Sequence, residues 1–179
     1  FNPSFPYRLA HTVTGFYIST GFVVLGVSAW LVRRDRFVEE SRLILSTTLW
    51  LLLVLVPVQI VLGDMHGLNT LEYQPAKVAA IEGRYDTAAP MPLTLFGIPD
   101  DANATMHDEI AIPYLGSLVL THSLDGKVRG LKEWPADQRP PVGPPFFAFR
   151  LMVLIGVLML ALVIAGNVLR RNNRFVTNT

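Results

Sequence analysis

The sequence predicts an all-α membrane protein with three transmembrane helices and a long, partly helical extracytoplasmic loop. Charged residues make up only 16% of the 179 residues, and 51% of the residues are hydrophobic. Formal charges are absent from the stretches 9–32, 43–63 and 151–169. Each stretch has about the 20 residues that a helix needs to cross a bilayer. The restriction of charged residues to the segments outside these apolar stretches excludes both an ordinary soluble domain and a disordered chain.

The placement of arginine predicts the topology. The short segments that follow the first and third apolar stretches are dense in arginine, which is typical of cytoplasmic loops, whereas the segment between the second and third stretches is richer in acidic residues. We expect an internal piece of a longer membrane protein, because no signal-peptide pattern precedes the first stretch. The predicted order is a first transmembrane helix with an outer N-terminus (1–33), a cytoplasmic loop (34–41), a second transmembrane helix (42–63), an extracytoplasmic loop (64–145), a third transmembrane helix (146–170) and a cytoplasmic tail (171–179).

Composition also limits the chemistry. The chain has no cysteine, which excludes disulfides, cysteine-ligated metals and a cysteine-attached haem, so a redox cofactor would be held by histidine, methionine or carboxylates. The formal net charge of +1 argues against nucleic acid as a partner.

Local signals predict structure within the helices and the loop. Residues 74–83 have a proline at one end, a glycine at the other and helix formers between, and they predict a two-turn helix. An Asp-Gly turn is expected at 125–126, and three prolines are expected to break the stretch 90–99. In the second helix, Pro57 predicts a kink, and Gln59 is expected to make an interhelical hydrogen bond.

His11 is the first candidate for chemistry, since an ionisable side chain within a spanning helix often has a function. Gly15 and Ser19 follow at intervals of four residues and leave a face without bulk, where a flat macrocycle could lie. Two plainer roles stay open: the imidazole could sit at the interface and reach water, and the small residues could serve helix packing.

Met152 and Arg150 are candidates at the start of the third helix. Met152 lies about as deep in its helix as His11 does in the first, so the two could ligate one haem iron. Arg150 could pair with the haem propionates. The open alternatives are a methionine that faces lipid or the core and an arginine that extends to the interface.

The predicted loop helix carries Lys77 and Glu82, which are five residues apart and so do not form a routine i,i+4 pair. One could face a ligand, with the carboxylate accepting a proton, or both could simply be solvated. Zinc ligation by outer acidic and histidine residues is a weaker hypothesis, because their spacing matches no metal motif. Those residues are Asp64, His66, His107 and His122.

Several sequence blocks, taken together, resemble subunit I of the cytochrome bd quinol oxidases. The resemblance covers essentially the whole chain and corresponds to the fifth to seventh helices of the family with the intervening quinol loop. The blocks are residues 7–17, Gly-Asp-Met-His-Gly-Leu-Asn at 63–69, Gln-Pro-Ala-Lys-Val-Ala-Ala-Ile-Glu-Gly at 74–83, Leu-Phe-Gly-Ile-Pro at 95–99, residues 116–126 and Phe-Arg-Leu-Met at 149–152.

The resemblance implies a role for each candidate. His11 and Met152 match the ligands of the family's low-spin haem b558, and Arg150 matches its conserved arginine. Lys77 and Glu82 match the residues implicated in quinol oxidation. The ligands of haem b595 and haem d belong to parts of the full-length subunit outside this chain. We therefore expect the electron-entry half of a respiratory quinol:oxygen oxidoreductase.

The resemblance also implies a setting and partners. The expected location is the bacterial cytoplasmic (inner) membrane, with the loop 64–145 on the periplasmic side. The expected partners are the rest of subunit I, subunit II, the lipid bilayer and ubiquinol or menaquinol. The rival hypothesis is a non-catalytic membrane scaffold whose outer loop binds a partner protein.

Overall fold

The computed structural model describes residues 2–171, so most of the predicted tail 171–179 lies outside the described residues. Its helices are α1 (Phe5–Arg33), α2 (Val38–Tyr73), α3 (Pro75–Glu82), α4 (Leu115–Thr121) and α5 (Gly143–Arg171). The strands are β1 (Leu93–Asp100) and β2 (Thr105–Ile112), and short 3-10 turns lie at Leu131–Glu133 and Ala136–Gln138.

Helices α1, α2 and α5 are long and apolar enough to cross a membrane, which agrees with the three predicted helices. Helix α2 has 36 residues and includes Pro57. It continues to Tyr73 and so extends beyond the predicted span 42–63. The predicted loop 64–145 therefore begins as a continuation of a long helix.

The loop also contains a β-hairpin, so the all-α prediction does not hold. Strands β1 and β2 pair antiparallel, from Leu93 opposite Ile112 to Asp100 opposite Thr105, with two irregularities in register. The prolines had favoured a broken stretch, yet Pro99 lies within β1 opposite Met106. A two-stranded sheet tolerates this proline because each strand forms ladder bonds along one side only.

The chain divides into two compact units. Asp64–Val153 forms most of the first, which we call the loop unit, while Phe5–Gly63 and the residues from Leu154 form most of the second, the helical unit. The helical unit has an apolar core of Ile18, Leu52, Val56 and Val163, in which side chains from α1, α2 and α5 pack together.

The loop unit is built around helix α3. Gly83 ends this helix with φ of 69°, and the next amide, that of Arg84, donates to the Ala79 carbonyl at 2.8 Å. A left-handed glycine of this kind is the usual helix stop, as the sequence predicted. One face of α3 enters a core of Ala79, Ala80, Tyr85, Ala104, Leu131, Val142 and Phe146.

Candidate functional site

Glu82, the last residue of α3, is a buried carboxylate. Its side chain is 4% exposed, and its Oε2 lies 3.4 Å from Nη2 of Arg150. Burial raises the pKa of Glu82, while attraction to Arg150 and, less strongly, to Arg84 opposes that rise. A carboxylate whose pKa is raised binds a proton more strongly than an exposed carboxylate does, which suits a proton acceptor.

Arg150 connects three segments of the loop unit. Its guanidinium donates from Nε to the Thr94 carbonyl at 2.9 Å and from Nη1 to the Ile81 carbonyl at 2.6 Å. It also stacks 3.6 Å from the centre of the Phe146 ring. Arg150 therefore joins the start of α5 to the end of α3 and the start of β1, and it fixes the surroundings of Glu82.

A second arginine, Arg84, lies just beyond the end of α3. Its Nη2 donates to the Thr94 hydroxyl and to Glu109 Oε1, and it reaches the Pro92 carbonyl at 3.3 Å. The Thr94 hydroxyl in turn donates to Glu109 Oε1 at 2.6 Å. These residues come from β1, β2 and the end of α3, so sequence spacing alone could not have brought them together.

Lys77 and Glu82 lie on the same short helix in different surroundings. Lys77 is exposed, whereas Glu82 is buried against Arg150. This agrees with their spacing of five residues, which puts them on different sides of a helix. The same helix thus carries an exposed cation and, at its last residue, a buried carboxylate held by Arg150.

His11, within the helical unit, packs against helix α2. Its Nε2 lies 3.2 Å from Nε2 of Gln59, which confirms the interhelical hydrogen bond predicted for Gln59. A methyl group added at Gly63 would lie 3.2 Å from Cε1 of His11, and one added at Gly15 would lie 3.4 Å from Nε2 of Gln59. The two glycines make room for the imidazole and the amide.

Met152 is half exposed on α5, at 50%. One turn further along the helix, a side-chain carbon added at Gly156 would meet no atom of the described residues within 4 Å beyond its own helix turn. Neutral imidazole and thioether are donors that a six-coordinate haem b takes. The donor chemistry of His11 and that of Met152, each considered within its own unit, therefore suits a haem ligand.

The residues considered for zinc do not gather into one site. Asp64 Oδ2 lies 3.4 Å from Nε2 of His122, and Asp100 Oδ2 lies 3.4 Å from Nε2 of His107. Within residues 2–171, no group of three or more histidine or acidic side chains is placed to hold a metal ion.

Sequence reasoning missed the Arg84, Thr94 and Glu109 cluster. No local signal could have indicated it, because its members are distributed over residues 84–109 and come together through the unpredicted hairpin. The contacts of Arg150 with the loop were missed for the same reason. Its predicted contact with a haem propionate stays a prediction.

Three helices long and apolar enough to cross a membrane, joined by an ordered loop with a buried, ion-paired carboxylate, are typical of a polytopic membrane protein. The sequence profile of the cytochrome bd terminal oxidase subunit I family matches residues 1–178. The chain belongs to this family of terminal respiratory oxidases, whose members contain haem.

Individual relatives agree with the family match. The chain is 30% identical to a putative cytochrome bd menaquinol oxidase subunit I of Bacillus subtilis, over 99% of this chain and 41% of the relative. It is 32% identical to the cytochrome bd-II ubiquinol oxidase subunit 1 of Escherichia coli, over 85% of this chain and 30% of the relative. The structure of the bd oxidase from Geobacillus thermodenitrificans matches with a TM-score of 0.82 and 30% identity, covering 97% of this chain and 39% of that one. The chain thus spans about two fifths or less of the length of these proteins.

Proposed function

We propose that this chain is the quinol-oxidising, electron-entry part of a cytochrome bd oxidase, with the quinol bound at the loop unit. The observation that carries the proposal is the buried Glu82 with Arg150 at 3.4 Å. Oxidation of a quinol releases two protons, so a base must lie beside a quinol hydroxyl. Glu82 can fill this role, because burial makes it a better base than an exposed carboxylate.

Lys77 would assist from the surface. It is exposed on the helix that ends at Glu82 and can hydrogen-bond a second quinol oxygen through its ammonium group. Arg150 would keep Glu82 in position, since its guanidinium is itself held by the carbonyls of Thr94 and Ile81.

His11 and Met152 are the proposed ligands of haem b558. When bound, this haem would supply the one-electron redox chemistry that the oxidation of a quinol requires. Gln59, which contacts His11 at 3.2 Å, would give up or shift this contact when the imidazole binds iron. Arg150 would also offer its charge to the haem propionates.

The density of arginine in the sequence segments 33–42 and 170–174 supports an outer position for the loop 64–145. Protons from the quinol would then leave on the periplasmic side of the bacterial cytoplasmic membrane. Haem b595, haem d and oxygen reduction are assigned to the rest of subunit I, with subunit II as partner and ubiquinol or menaquinol as substrate.

The quinol role is tested with Glu82→Gln in the assembled oxidase. We expect quinol oxidation to fall by about 100-fold, because a positioned base contributes roughly 10²–10⁴-fold. The low-spin b-type absorbance should stay unchanged. Glu72→Gln, at an exposed position on α2, is the matched control and should keep full activity. Normal quinol turnover in Glu82→Gln would remove this residue from the mechanism.

The haem role is tested by reduced-minus-oxidised spectra of His11→Ala and Met152→Leu. Each should lose the low-spin b-type signal, whereas Met159→Leu, one heptad along α5, should retain it. A signal that survives in both ligand variants would favour the scaffold hypothesis.

A further inference from the structure

Two arginines and two glutamates form one connected group in the loop unit. Glu82 pairs with Arg150, and Arg84 pairs with Glu109. The four side chains are 4%, 16%, 14% and 28% exposed in that order, so solvent screens their mutual interactions only weakly. In this part of the chain the charged groups that act on Glu82 are Arg150 and Arg84, and Glu109 acts on Arg150 as well as on Arg84.

Thr94 lies between the two ion pairs. It is 1% exposed, and its carbonyl accepts from Arg150 Nε while its hydroxyl accepts from Arg84 and donates to Glu109 at 2.6 Å. The Thr94 hydroxyl has a defined orientation, because it is used both as a donor and as an acceptor. Thr94 thereby fixes the positions of both guanidinium groups.

We propose that Thr94 and Glu109 hold Arg84 as a fixed positive charge that acts on Glu82, which makes Arg84 and Glu109 positioning residues for proton removal from the quinol. This inference rests on the proposed role of Glu82 as proton acceptor. Arg84 favours the ionised, proton-accepting form of Glu82, and Glu109 partly neutralises Arg84. The two residues therefore set the basicity of Glu82 in opposite directions.

A purely structural role for the Arg84–Glu109 pair predicts something different. If the pair only attached the hairpin to the end of α3, removal of either residue would lower stability by a similar amount. The pH dependence of quinol oxidation would then stay unchanged. Shifts of the pH profile in opposite directions in the Arg84 and Glu109 variants distinguish these cases. Loss of packing does not depend on whether the removed charge was positive or negative, so it cannot produce opposite shifts.

The experiment is the pH profile of quinol oxidation in the assembled oxidase. Arg84→Gln removes a positive charge, so the acid limb should move to higher pH by about one unit. Glu109→Gln keeps a hydrogen-bond acceptor for Arg84 and Thr94 but removes a negative charge, so the limb should move to lower pH by about half a unit. The double variant should lie between the two single variants.

Arg84→Lys is the matched control, since it retains the charge and should keep the acid limb of the unmodified oxidase. Shifts of the same sign in Arg84→Gln and Glu109→Gln, no shift in either, or a Lys variant that behaves like the Gln variant would overturn the proposal. An unchanged low-spin haem spectrum shows that each variant is folded.

A second measurement separates this inference from the proposed function. The infrared band of a protonated carboxyl group that disappears in Glu82→Gln reports the titration of Glu82 without turnover. Its midpoint should rise in Arg84→Gln and fall in Glu109→Gln. If the midpoints shift in this way while Glu82→Gln still oxidises quinol normally, the electrostatic inference stands and the catalytic role fails. If Glu82→Gln is inactive and the midpoints stay fixed, the positioning inference fails alone.

Discussion

The loop unit and the helical unit satisfy their polar groups by different means. In the loop unit, charged side chains bind backbone carbonyls and one another, as Arg150 does with Thr94, Ile81 and Glu82. In the helical unit, most backbone groups are paired within helices, and the polar side-chain contacts between helices include His11 with Gln59 and Asn167 with the Leu49 carbonyl.

The difference follows from solvent and secondary structure. A spanning helix satisfies its own backbone, and charge within a bilayer is costly, so apolar packing holds the helices. A loop made of short helices, a two-stranded hairpin and turns leaves carbonyl groups at the ends of these elements that need donors. In this protein arginine supplies those donors, and the same arginines surround the carboxylate proposed for chemistry.

The sharpest test of this difference compares two arginines of α5. Arg150→Leu leaves the buried Glu82 without its partner, and we expect a loss of about 3–5 kcal/mol in the loop unit. Arg170→Leu removes hydrogen bonds to Ser46 and should cost about 1 kcal/mol. Hydrogen exchange of hairpin and α2 amides measures both effects. Equal losses of stability in the two variants would mean that the loop unit depends on the Glu82–Arg150 ion pair no more than the helical unit depends on the hydrogen bonds of Arg170.

Glycines give a second comparison. Gly83→Ala forces a side chain onto φ of 69° and within 2.8 Å of the Phe146 ring, so the loop unit should lose about 1–3 kcal/mol. A side-chain carbon added at Gly26, in α1, would meet no atom of the described residues within 4 Å beyond its own helix turn, so Gly26→Ala should leave stability the same or slightly higher. Thermal unfolding in detergent ranks the two variants, and a Gly83→Ala protein as stable as Gly26→Ala would contradict the left-handed helix stop.

The polar contact in the helical unit should matter less. Gln59→Leu removes the hydrogen bond to His11 and should cost about 0.6 kcal/mol, as is typical of hydrogen bonds between membrane helices. Urea unfolding in mixed micelles is the measurement. A loss above about 2 kcal/mol would show that the helical unit depends on polar contacts as the loop unit does.

The smallest effect concerns the hairpin turn and pH. Asp100 accepts from the Asn103 amide at 3.1 Å and from its side chain at 2.8 Å, and these bonds lower the pKa of Asp100 to about 2. Its contribution to stability is present above its ordinary pKa of 3.8 and is lost as pH falls toward about 2. Asp100→Asn should flatten this acid dependence in hairpin hydrogen exchange. An unchanged slope between those pH values would assign the dependence to another group.

Much of the site could be proposed from sequence because its residues stand in recognisable local contexts. Lys77 and Glu82 lie in a segment whose proline and glycine mark a helix, and that helix is present from Pro75 to Glu82. His11 and Met152 stand out because polar or sulfur-containing donors near the ends of apolar stretches are conspicuous. The hairpin was missed because prolines normally interrupt a strand. In a two-stranded sheet a proline is tolerated, since each strand has one side without ladder hydrogen bonds.

The sequence by itself determined the three long apolar helices, the Gly83 helix stop and the Gln59 contact, because hydrophobicity, backbone freedom and isolated polar groups act over a few residues. Only the tertiary structure decided that Glu82 is buried against Arg150 and that Arg84 is held by Thr94 and Glu109. Those contacts join residues separated by up to 68 positions, and electrostatic attraction through a low-dielectric interior depends on distance in space rather than along the chain.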